Sequence, residues 1–235
     1  MTSLRDLRFF STAQHDCSYL DDQRAATLFV DPHAHLSSST YSALSDLGFR
    51  RSGNFIYRPN CPDCFACIPV RIPAEAFAPN RSQQRVLKRN TDVVIEILAA
   101  DFTEERYALY DRYIRERHRD GDMYPPSREQ FNSFLLSNWS QTCFVEFRLE
   151  GKLIAVAVCD WIEQGISATY TFFDTNLASR SLGTLAILWQ IETCRQQGLY
   201  GVYLGYWIRQ STKMRYKSMF RPMELLIDRE WLRVR

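Results

Sequence analysis

No apolar run in this chain of 235 residues approaches the ~20 that a membrane helix needs, so no membrane partner is expected. The opening "MTSLRDLRFF" also lacks the long apolar core and small-residue cleavage site of a secretory leader, which predicts a cytoplasmic protein. Charge of one sign is missing as well. The 29 Lys and Arg against 27 Asp and Glu leave a net charge of +2, too little for bulk attraction to nucleic acid. Any such contact must rest on local patches. Histidine is scarce, at 4 residues, and no histidine or asparagine pattern marks a Cys-His nucleophile pair. Internal repeats and low-complexity segments are absent. What is present is an apolar fraction of 46%, enough to fill a sizeable core without cross-links.

Seven cysteines, an odd number, argue against a disulfide framework in a reducing compartment and leave metal, chemistry or packing. Three of them, Cys61, Cys64 and Cys67, recur at a spacing of three in "NCPDCFACIP". They can supply three thiolates to one ion, with Cys17 in "HDCSYL" as the fourth and His15 beside it. Zinc or an iron–sulfur cluster would staple a segment with little core of its own. The plain alternative is that these are small buried side chains. Cys143, Cys159 and Cys194 sit inside apolar patterns and read as core.

Residues 1–85 are rich in proline, histidine and cysteine and read as a small cysteine-bearing module, while 86–235 carry a regular pattern. In the second part "DVVIEIL" reads as a strand. Thr103 caps an amphipathic helix that runs to His118, and Ser127 with Gln130 forms a capping-box pair before a second helix. "TCFVEFRL", "KLIAVAVCDW" and "ISATYTFF" read as a three-strand meander turning first at Glu150-Gly151. A helix from Leu182 to Gly198, the strand "YGVYLGYW" and a last strand "MELLID" follow. This order predicts an α+β fold: antiparallel strands, a crossover helix and a parallel neighbour. It resembles the GCN5-related acyltransferase fold, in which a loop before the long helix holds the coenzyme A pyrophosphate. The matching stretch here includes Arg180 and Gly183 but lacks the final small residue, having Leu185 in its place.

Two basic patches stand out: Arg81, Arg85, Lys88 and Arg89, and then Arg209, Lys213, Arg215 and Lys217. The second is interleaved with Tyr206, Trp207 and Tyr216, whose faces can stack on unpaired bases. A solvated charged face and a core rim are the bland alternatives. Glu146 and Asp174 are carboxylates within or at the end of apolar strands, where burial demands a partner or a use. For Asp174 a turn or cap role competes with a catalytic one.

Taken together, "CSYL", "GFRRSGNFIYRPNCPDCFACIPVRI", "NRSQQR", "RHRDGDMYPPS", "TYTFFD", "RSLGTLAILWQIE", "YLGYWI" and "KMRYK" resemble the bacterial branch of the aminoacyl-tRNA–protein transferases, leucyltransferases that act on acidic N-termini. The resemblance implies transfer of leucine from leucyl-tRNA to the α-amine of proteins beginning with Asp or Glu, which feeds them to N-degron degradation. It implies no cofactor for the transfer itself. In the related eukaryotic arginyltransferases, N-terminal cysteines are linked to an iron–sulfur cluster or zinc, but one of those cysteine positions is Leu20 here.

On this reading Asp174 and then Tyr170 are the candidates for deprotonating the attacking amine, and Tyr206 for protonating the leaving ribose oxygen. Arg50, Arg51 and Arg71 are the candidates for reading the acceptor carboxylate, since an arginine fork pairs with it bidentately. Arg180, Gly183, Lys213, Arg215 and Lys217 are further candidates for substrate binding. The competing readings are a coenzyme A-dependent N-acetyltransferase and a metal-stapled RNA-binding module without activity.

Overall fold

The computed structural model describes residues 4–121 and 123–234. Residues 1–3, Asp122 of the Gly-Pro-rich loop and Arg235 lie outside the described residues. The first part of the chain forms short strands β1 (Phe9–Ser11), β2 (His15–Asp16), β3 (Arg24–Ala25) and β4 (Thr27–Val30). Helix α1 (Ser38–Asp46), β5 (Arg50–Ser52), β6 (Phe55–Pro59) and β7 (Ile68–Pro73) follow. Then come α2 (Arg81–Arg89), β8 (Val93–Ala99), α3 (Glu104–Arg117) and α4 (Arg128–Leu135). The meander is β9 (Thr142–Leu149), β10 (Lys152–Ile162) and β11 (Gly165–Phe173). Helix α5 (Leu182–Gln196), β12 (Gly201–Trp207), β13 (Met223–Ile227) and β14 (Glu230–Val234) complete the chain.

The fold is α+β around an eight-stranded mixed sheet in the order β14-β13-β7-β12-β11-β10-β9-β8. Strands β8 to β11 are antiparallel neighbours, and α5 carries the chain across to β12, which pairs parallel with β11. The expected strand–crossover–parallel-neighbour order is therefore present. One side of the sheet packs on α5 and α2 through Leu182, Leu185, Ala186, Ile191 and Val86, the other on α3 and α4 through Tyr110, Ile114, Phe131 and Leu135. Both faces being covered explains why β10 is apolar almost throughout.

Thr103 caps α3 by accepting from the Arg106 amide at 3.2 Å. Ser127 caps α4 in the same way, from the Gln130 amide at 3.0 Å, but the Gln130 side chain takes the Tyr110 hydroxyl at 2.9 Å rather than completing a box. The reciprocal box belongs to α2, where Asn80 and Gln83 exchange bonds.

A four-stranded sheet, β1-β4-β6-β5, sits against this body. Its inner face buries Val30 and Ile56 on Tyr41 and Leu44 of α1, in a cluster that also takes Ile162 and Tyr203 from the large sheet. Strand β7, from the same part of the chain, is a member of the large sheet, between β12 and β13.

Candidate functional site

Strands β11 and β12 pair only from Gly165 to Ser167 and from Gly201 to Tyr203. Beyond that they diverge, and the guanidinium of Arg50 fills the gap. Its Nη1 donates to the Tyr203 carbonyl at 2.9 Å and to Ser167 Oγ at 3.0 Å, and its Nη2 donates to the Ala168 carbonyl. The carbonyls left without a strand partner are thus satisfied by one side chain. Gly205 makes room for it: φ is +78°, and a Cβ there would stand 3.1 Å from Arg50 Nε. Three of the five guanidinium donors are used, which leaves two.

Lys217, in the 3-10 segment Thr212–Met219, reaches into the same cleft and donates from Nζ to the Tyr206 carbonyl at 2.5 Å. It is buried, 7% exposed. Burial, with Arg50 adding to it, brings its pKa down to about 7. Among the described residues no carboxylate forms an ion pair with Arg50 or Lys217, so the cleft holds the Arg50 cation, a lysine that is about half protonated near pH 7, and no counter-ion. Such an arrangement seeks an anion.

Around these cations stand Tyr57, Tyr206 and Cys67. The Tyr206 hydroxyl donates to the Gly48 carbonyl at 2.9 Å and to that of Tyr57 at 3.3 Å, and burial raises it well above the ordinary phenol range. Cys67 joins the cysteine set to the cleft. Burial and the nearby thiols of Cys61, Cys17 and Cys64 push its own thiol up to about 12, which keeps it protonated and poor as a nucleophile. Yet among the described residues no three His, Cys, Asp or Glu are placed to hold a metal ion. As arranged, Cys17, Cys61, Cys64 and Cys67 do not form such a site.

The other expected site residues divide by how far they are already committed. Arg51, one residue along β5 and so on its opposite face, forms a bidentate pair with Asp160 at 2.7 and 2.8 Å. Its remaining donors go to the carbonyls of Gly53, Leu135 and Leu136, and both partners of the pair have fully buried side chains. Nothing is left to read a substrate. Arg71 binds Glu224 at 2.9 Å, Asp46 at 3.2 Å and the Tyr203 hydroxyl at 3.1 Å, between the rings of Tyr200 and Trp231. Glu146 is buried too, held by Arg106 at 2.7 Å and by Arg148 at 2.8 Å, which makes it a structural anchor.

Asp174 follows β11 and caps the 3-10 turn after it, accepting from the Asn176 amide at 3.1 Å. Burial alone would raise its carboxyl, but that amide, Arg112 at 3.4 Å and Lys152 at 3.3 Å hold it below the ordinary range. Tyr170 sits among Tyr110, Tyr113 and Phe134, with a buried hydroxyl that has no hydrogen-bond partner among the described residues and with its pKa raised by burial. Arg180 is spent on a bidentate pair with Asp92 at 2.7 and 2.8 Å. Gly183 lies in the first turn of α5 against the Phe173 ring. Lys213 pairs with Asp120 at 2.7 Å on the surface, and Arg215 is exposed.

The sequence pattern did not single out the convergence of Arg50, Lys217, Tyr57, Tyr206 and Cys67. The usable signal was alternation along "FRRS", which separates Arg50 from Arg51 once the strand is recognised.

Two family models match the chain: "Arginine-tRNA-protein transferase, N terminus" over residues 15–85 and "Arginine-tRNA-protein transferase, C terminus" over residues 105–227. The chain belongs to the arginine-tRNA-protein transferase family. Relatives within it are close and full length. An aspartate/glutamate leucyltransferase of Pseudomonas entomophila is 53% identical over 99% of both chains. One of Alcanivorax borkumensis is 54% identical over 98% of this chain and 96% of its own. Among solved structures, the C-terminal domain of an Agrobacterium fabrum chain named as a lysylphosphatidylglycerol synthetase superposes with a TM-score of 0.49 at 14% identity, covering 80% of this chain and 61% of that one. At that distance the likeness adds nothing to the strand order itself. Within the transferase family, the cleft between β11 and β12 joins the two matched regions, since Arg50 comes from the first and Lys217 from the second.

Proposed function

We infer that this protein transfers leucine from leucyl-tRNA to the N-terminal amine of proteins that begin with Asp or Glu. The observation that carries the reading is identity above 50% over nearly the whole length to proteins named aspartate/glutamate leucyltransferase. A cytoplasmic setting and a place in N-degron degradation accord with it, and among the described residues no helix is long and apolar enough to cross a membrane.

The chemistry asks for little covalent machinery. The aminoacyl ester is already activated: the amine nitrogen attacks its carbonyl carbon, an amide bond forms, the ester C–O bond breaks, and the ribose oxygen leaves with a proton while the amine loses one. Holding ester and amine together accounts for about 7–11 kcal/mol of the barrier. The cleft supplies positioning and charge.

Arg50, with two donors unspent and no acidic partner, is the reader of the acceptor carboxylate, and Lys217 adds a second positive charge beside it. Asp174, held ionised by Arg112 and Lys152, acts as a fixed charge that orders the end of β11 rather than as a base with a pKa near neutrality. The cysteine set has a structural part. The loop before α5 carries Leu185 where the coenzyme A-binding pattern has a small residue, which disfavours the acetyltransferase alternative.

Incubation with charged leucyl-tRNA and peptides that differ only in their first residue tests the reading. A mass gain of one leucine on peptides starting with Asp and Glu, and none on Asn or Gln, is the expected result. No gain on any peptide overturns it.

A further inference from the structure

Side chains alternate across a strand, and residues paired in register share a face. Phe10 of β1 is opposite Phe29 of β4, Phe29 is opposite Tyr57 of β6, and Tyr57 is opposite Arg50 of β5. All four therefore point from one face of the four-stranded sheet, joined by Phe55, two residues before Tyr57. The opposite face is the one buried on α1. This outer face is aromatic and open to solvent: Phe10 is 53% and Phe55 is 49% exposed. Phe10, Phe29 and Phe55, with Asp31, Pro32 and His33, line an open and almost wholly apolar pocket of ≈ 520 Å³. The rings run on without a break, from Phe55 to Phe29 at 6.3 Å, Phe29 to Tyr57 at 5.9 Å and Tyr57 to Tyr206 at 6.4 Å, and so reach the cleft that holds Arg50 and Lys217.

We propose that this aromatic face is the platform on which the unpaired 3′ end of the charged tRNA lies, its bases stacked on Phe10, Phe29 and Phe55. The proposal rests on the proposed function, in which the leucyl ester and the acceptor amine meet at the cleft of Arg50 and Lys217. In that reading the ester is on the terminal ribose, so the nucleotides before it must leave the cleft along an adjoining surface. The ring row is such a surface. Strands ~4.8 Å apart make the row from β1 to β5 about 14 Å wide, a span for two or three bases, as on other sheets that stack single-stranded RNA. A leucine side chain is too small to need it. Every base has a π-face, so the same platform serves whatever nucleotides stand there. Its inner end, at Tyr206, adjoins the cleft where the ester must meet the acceptor amine.

The experiment compares binding of uncharged tRNA with that of the same tRNA trimmed of its unpaired 3′ nucleotides, for the wild type and for Phe10→Ala, Phe55→Ala and Phe10→Tyr. Phe10 and Phe55 are exposed, so truncation leaves the core intact, and thermal melting checks this. Each alanine variant is expected to weaken intact tRNA by about 5- to 150-fold, the equivalent of one lost stacking contact. Binding of trimmed tRNA should be unchanged, and Phe10→Tyr should bind like the wild type. A wild type that binds both tRNAs alike, or alanine variants that lose nothing or lose the same on both, overturns the proposal. So does an effect confined to the KM of the acceptor peptide, or a shift in molecular mass showing that the face is covered by a second copy. Leucine transfer by the wild type, measured separately, reports on the function. Stacking without transfer removes that function and leaves the platform, whereas transfer without stacking removes only the platform.

Discussion

A lysine ammonium buried beside an arginine costs stability that pH can reveal. Lys217 has its pKa lowered from the usual 10.5 to about 7 in the folded chain. Between those values the unfolded chain binds more protons than the folded one, so the lysine's contribution improves as pH rises from 7 toward 10.5 and its full penalty is felt below 7. Lys217→Met is therefore expected to be more stable than the wild type at pH 7, with the gain shrinking by pH 10. Urea midpoints at the two pH values check this, and an equal gain at both would show that the lysine is not held as described.

The three candidate arginines part ways at this scale. Arg51→Met leaves Asp160 as a buried charge without its partner and is expected to lose about 3–5 kcal/mol in chemical denaturation. Arg50→Met should keep its fold yet lose the preference for Asp over Asn as first residue, read from the ratio of transfer rates. From sequence alone the three were equivalent. Which arginine is spent depends on partners such as Asp160 and Glu224, which lie far along the chain.

Among the elements, those whose signal is local were legible. The cap at Thr103, the meander around Glu150-Gly151 and the crossover helix α5 all follow from side-chain type and period. Strand β7 was not, because "IPVRIP" has a proline at each end of a short apolar run and gains its place only by pairing with β12 and β13. The cleft shows the same limit. It arises where β11 and β12 stop pairing, and no property of either strand states where that happens.

Its geometry nonetheless hangs on one residue of β12. Gly205→Ala places a side chain at φ +78° and against Arg50, a backbone cost of about 1–2 kcal/mol before any displacement. The variant is expected to show a lowered melting temperature together with the blunted Asp-over-Asn preference of Arg50→Met. A lowered melting temperature with selectivity intact would mean that Arg50 moves without consequence.

For the whole molecule, the interleaving of β7 decides what can be cut. A fragment of residues 86–235 keeps α3 to α5 and seven of the eight strands of the large sheet but splits α2 and loses the strand between β12 and β13. It also exposes the surface that the four-stranded sheet and α1 cover through Ile162 and Tyr203. Such a fragment is expected to be aggregated or unfolded, with no cooperative melting transition, whereas a self-contained domain would melt cooperatively.

The same strand sets an order of events during synthesis. β7 ends at Pro73 and its neighbour β12 begins only at Gly201. At about 5–20 residues per second, the ribosome leaves β7 with both edges open for on the order of ten seconds. The cysteine-rich loop just ahead of it waits with it, Cys67 not yet packed beside Tyr206. The nascent chain is therefore most open to aggregation and to oxidation in this interval, and a chaperone that shields residues 61–73 would act before any transferase activity exists.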